Sequence, residues 1–98
     1  MRERASIVAG ELRECAALAE RCERGDVHVP EAVSKLAIAE WPARRNEMGE
    51  LRELDLKLWH ELNDTYTALQ RAKHDGGYPP RAESLRALAA RLHDGFAE

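Results

Sequence analysis

An all-α fold, an up-down antiparallel bundle of about four helices, is what this 98-residue sequence predicts. Three observations point to it. Apolar residues recur at spacings of three and four in several separate stretches, the period of a helix with one buried stripe. The cluster Asp75-Gly76-Gly77-Tyr78-Pro79-Pro80 breaks any helix that enters it and leaves a short connection to the next stretch. Trp59 and Tyr66 lie seven residues apart on one edge of such a stripe, where two large rings can anchor a core.

The first helix is expected from about Arg4 to Arg24. Ala5, Val8, Leu12, Cys15, Ala19 and Cys22 form a heptad seam, and Ile7 and Leu18 widen one side of it. Gly25 follows Arg24 and is the residue best suited to a left-handed C-terminal cap. Gly10 falls on the opposite, exposed face, at a cost of about 1 kcal/mol relative to Ala.

From Asp26 to Trp41 the pattern is least informative. Val27-His28-Val29 is short for a strand, and Pro30-Glu31 can open a brief helix through Leu36. Pro42 bars one continuous helix through Trp41. A second clear helix is expected from Pro42 to about Arg52, burying Met48 and Leu51, with Gly49 as a possible early stop.

The third helix has the clearest signals. Asp55 suits the N-cap, and Leu54 and Trp59 flank it as a hydrophobic staple. Leu58, Leu62, Thr65, Leu69 and Ala72 form its inner stripe, and the helix should stop near His74. A fourth helix follows from about Arg81, with Leu85, Leu88, Ala89, Leu92 and Phe96 on one face and a frayed end at Asp94-Gly95. Short connections between the later helices imply antiparallel neighbours. Trp59, Leu62, Tyr66 and Leu69 should then meet Leu85, Leu88 and Leu92. Residues 1–98 read as a single helical domain.

Composition narrows the function. Charged residues make up 34% of the chain, with 15 basic against 18 acidic side chains and a formal net charge of −3. The signs alternate along the sequence, as on a solvated helix surface. Displacing counterions from phosphates needs a concentrated basic face, and the densest basic cluster is Arg44-Arg45 between Glu40 and Glu47. Nucleic-acid binding is therefore not expected. No apolar run approaches the roughly 20 residues that span a bilayer, so direct membrane insertion is not expected either. The start of the sequence, Met1-Arg2-Glu3-Arg4, does not read as a signal peptide, and a cytoplasmic location is the expectation.

The chemistry-bearing residues form no recognised motif. Cys15 and Cys22 are about 10 Å apart along a helix axis, beyond the roughly 7 Å Cα separation that a disulfide tolerates. Two reduced, poorly reactive thiols on the buried seam suit a reducing compartment. Cys15, Cys22 and His28 lack zinc-site spacing, and no Glu-x-x-His pair is present to build a di-iron site. His60, His74 and His93 read as surface or helix-end residues. Ser6, Ser34 and Ser84 lack a nucleophile-elbow setting, and Gly76-Gly77 precedes Tyr-Pro-Pro instead of the Lys-Ser or Lys-Thr of a phosphate loop. No catalytic, cofactor-binding or metal-binding residues are assigned.

Trp41 with Arg44-Arg45, then Leu58-Trp59-His60-Glu61-Leu62, Tyr66 and Leu69, and finally Glu83-Ser84-Leu85-Arg86-Ala87-Leu88, resemble a helical domain of uncharacterised actinobacterial proteins. The resemblance covers most of the chain from Leu12 onward. In many of those proteins the domain follows an N-terminal membrane helix on the cytoplasmic side, and the sequence here has no such helix. The resemblance brings no catalytic residues with it.

The expected function is a non-enzymatic helical module for protein–protein interaction, with a protein partner or a second copy of the chain. Ile7, Val8 and Leu18 are the expected self-association residues, because the small seam of the first helix leaves them incompletely covered by one short partner helix. Two other readings are a small all-helical enzyme holding a charged metabolite between helices, and a phage- or defence-related inhibitor that occludes a basic surface.

Overall fold

The all-α bundle is what the chain adopts in the computed structural model, which describes residues 2–26, 49–75 and 79–97. Four α-helices occur among the described residues: α1 (Arg2–Glu23), α2 (Gly49–Leu54), α3 (Leu56–Asp75) and α4 (Ala82–Leu92). A π-helical turn, His93–Ala97, continues from α4. No strand occurs among the described residues. The expectations for Val27 to Leu36, Trp41, Arg44, Arg45, Met48 and Tyr78 lie outside the described residues, as does that for the side chain of Phe96.

Helix α1 spans 22 residues, about 33 Å at 1.5 Å per residue. It ends as its sequence dictates. Gly25 adopts φ +75°, a conformation that costs glycine nothing and other residues a Cβ clash. The amide of Gly25 donates to the carbonyl of Cys22 at 3.1 Å, and that of Asp26 to Arg21 at 2.9 Å. These two bonds form a Schellman motif, which satisfies carbonyls that the helix itself leaves open.

The buried face of α1 comprises Ala5, Val8, Ala9, Glu11, Leu12, Cys15, Ala16 and Ala19. The heptad seam is thus buried as expected, except that Cys22 is only partly covered. The seam widens on both sides, through Ala9 and Ala16 on one and through Glu11 and the partly buried Leu18 on the other, while Ile7 remains 37% exposed. The reason is the neighbour. Helix α4 shares with α1 the most extensive close backbone contact among the described helices, and small alanine side chains permit such contact. Gly10 is half-buried, not exposed.

Helices α2 and α3 are separated by Asp55 alone. The Asp55 amide still bonds to the Leu51 carbonyl at 2.8 Å, and the Asp55 carbonyl accepts from Trp59 at 3.0 Å. Between them the Asp55 carboxylate accepts from the Leu58 amide at 3.0 Å. The side chain therefore takes over a bond that a continuous helix would make with its backbone, which is how an N-cap starts a new helix. The described part of the second expected helix begins at Gly49 and runs through Leu54; its expected start at Pro42, and the segment that a stop at Gly49 would close, lie outside the described residues. Leu54 stands 66% exposed and outside the core cluster, so the expected staple onto Trp59 does not bury it.

Along α3, Leu58, Leu62, Leu69 and Ala72 are buried, with Trp59 and Tyr66 packed along the edge of the same core. Along α4 the buried residues are Ala82, Leu85, Leu88, Ala89 and Leu92. All belong to one hydrophobic cluster with the inner face of α1 and Leu51 of α2. The chain end does not fray at Asp94-Gly95 as expected. It widens into the π turn, which rests against α1.

Polar contacts fix the directions. Glu20 near the end of α1 pairs with Arg86 near the start of α4. Glu23 accepts from the Ala82 amide at 3.1 Å, with Arg81 at 4.0 Å from the same carboxylate. Arg91 near the end of α4 pairs with Glu61 in the first half of α3. Helix α4 is therefore antiparallel to both α1 and α3.

The contact from Glu23 compensates for a weak local signal. Arg81 occupies the N-cap of α4 and makes no side-chain capping bond. Glu23 supplies the missing acceptor from another helix and places negative charge at the positive end of the α4 dipole. Replacing Glu23 by Ala should destabilise the protein by about 1 kcal/mol, the usual worth of an N-cap. Glu23→Gln should retain part of that, since the amide oxygen still accepts. Urea denaturation of the three proteins checks the order.

The Arg86 guanidinium, by hydrogen bond and then by charge, holds the Glu20 carboxyl below its ordinary value of 4.5. A depressed carboxyl contributes stability above its unfolded value, and the contribution is lost as pH falls through the lower folded value. Parent and Arg86→Ala should therefore differ in Tm near neutral pH and converge in acid. Both side chains are exposed, so the difference should be small and should shrink with added salt.

Candidate interaction surface

Most of the large apolar side chains described are buried, which makes the exceptions informative. Leu54 closes α2 and Leu56 opens α3, and they are 66% and 52% exposed. The cap at Asp55 sets both. It ends one helix and begins the next within a single residue, with bonds to Leu51, Leu58 and Trp59 that fix the backbone between the two leucines. Leu51, one turn earlier, and Leu58, one turn later, take the buried positions. Two leucines are thus displayed at a structured break.

The residues expected to support self-association are not gathered on one surface. Val8 is 2% exposed and belongs to the core of the single chain. Leu18 is half-buried against that core, and Ile7 alone is open. Ile7, Glu11 and Leu18 share one flank of α1 by helical spacing. Glu11, at 9% exposure, was not legible as a buried residue from a sequence in which it reads as ordinary surface charge. A buried carboxylate in the middle makes this flank a poor apolar contact strip.

Two grooves mark the described surface. The larger, about 390 Å³, runs between α3 and α4 and is lined by Glu61, Asp64, Thr65, Ser84, Ala87, Leu88 and Arg91. It is shallow and open. Arg91 is the cation of this lining, and Glu61 engages it. The smaller groove, about 310 Å³, lies where the end of α1 meets the approach to α4, between Ala19, Cys22, Glu23, Pro79 and Pro80. Neither gathers the several Arg or Lys side chains that an anionic metabolite would require. No group of three or more His, Cys, Asp and Glu side chains with metal-site geometry occurs among the described residues. No described helix is long and apolar enough to cross a membrane.

The two thiols differ in setting. Cys15 is buried, and burial, reinforced by Glu11 and Glu14, pushes its pKa up to about 12. Cys22 borders the smaller groove, and partial burial with Glu23 beside it also raises its pKa. The thiolate is the reactive form, so both settings oppose nucleophilic chemistry. In native protein Cys22 should react slowly with a thiol reagent, and Cys15 only after denaturant is added. Peptide mapping of the labelled protein checks the order, and equal labelling of both under native conditions would contradict the assigned burial.

In comparison with known proteins, no family model, no curated protein and no solved structure matches this chain.

Proposed function

We propose that this chain is a non-enzymatic, cytoplasmic helical module that binds a protein partner through the break between α2 and α3. The observation that carries the reading is the pair Leu54 and Leu56, exposed on either side of the Asp55 cap. Single exposed leucines are ordinary, whereas a fixed pair is a natural anchor for an apolar partner surface. Two free thiols suit a reducing compartment.

Magnitudes set the kind of interaction. Burying the exposed fractions of two leucines supplies about 2–4 kcal/mol. Association itself costs at least that much. The leucines therefore need further contacts from the partner, and the complex belongs at the small, transient end of the interface range, below about 1,200 Å². A second copy of the chain is one candidate partner. A metabolite-binding enzyme has less behind it, since the open groove between α3 and α4 presents a cation already engaged by Glu61.

Photo-crosslinking in the cells that make the protein tests the reading. A benzophenone side chain at position 56 should give a discrete adduct, of homodimer mass or of one partner. The same group at position 70, where Gln70 is exposed on the outer side of α3, should give none. Leu54→Glu in the first protein should abolish the adduct while leaving its Tm within a degree or two of the parent, as about ±0.5 kcal/mol for a surface change implies. No adduct at position 56, or equal adducts at both positions, would overturn the proposal.

A further inference from the structure

We draw no further inference here: the strongest candidate, the open groove between α3 and α4 with Glu61, Asp64, Ser84 and Arg91 along it, carries none because nothing in the structure shows what covers it.

Discussion

The close approach of α1 and α4 is the contact on which the rest of the bundle depends. Ala5, Ala9, Ala16 and Ala19 on α1, with Ala82 and Ala89 on α4, are all buried. A methyl group is too short to hold two helices apart, so the backbones come together and gain many weak dispersion contacts over a long seam. Each alanine buries little area, and the gain comes from their number and from Leu12, Leu85 and Leu92 seated among them. Helix α3 has far less close backbone contact with α4. Its leucines and rings span a gap that alanines could not fill. The bundle thus has one narrow and one wide interface, set by side-chain length.

Charged groups refine this packing without carrying it. Glu20, Glu23, Arg81 and Arg86 cluster where α1 ends and α4 begins. Glu20 and Glu23 sit at the wrong end of α1 for its own dipole and at the right end of α4 for the neighbouring one. A pattern that looks unfavourable within one helix becomes favourable once the two lie antiparallel. Exposed pairs of this kind contribute little stability each. Their value lies in fixing direction, because reversing α4 would bring Arg91, not Arg86 and the α4 N-terminus, to the acids of α1.

Much of the architecture was legible in the sequence. The Arg24-Gly25 stop, the Asp55 cap, the stripe from Leu58 to Ala72 and the inner face of α4 all follow from local chemistry, and each is found in place. What was not legible turns on alanine. Ala9 and Ala16 are buried while Ala17, Ala87 and Ala90 are exposed, yet all are equally good helix formers and none announces a face. The wider side of α1 was therefore assigned to Ile7 and Leu18, whose size was the stronger signal. Val8 was placed on the seam but expected to be incompletely covered, because how fully the neighbouring elements would close over the small α1 seam has no local signal. The cap from Glu23 to Ala82 joins residues far apart in the chain, and no local pattern encodes it. The exposed leucines beside Asp55 escaped for the opposite reason. Leu54 was expected in a staple with Trp59 and Leu56 carried no signal of its own, whereas Leu51 and Leu58 take the buried positions.

The proposed interaction surface rests on that same frame. Leu54 and Leu56 stand outside the shared core that α1, α3 and α4 build, so they can be presented without opening the α1–α4 seam. The most direct test of the seam is a comparison of Ala16→Leu with Ala17→Leu in chemical denaturation. The two positions are adjacent on α1 and receive the same side chain, so helix propensity cancels. Overpacking at the seam should lower the stability of Ala16→Leu by about 1–3 kcal/mol, with Ala17→Leu within about 0.5 kcal/mol of the parent. Equal stability of the two variants would mean that α1 and α4 are not in close contact at Ala16.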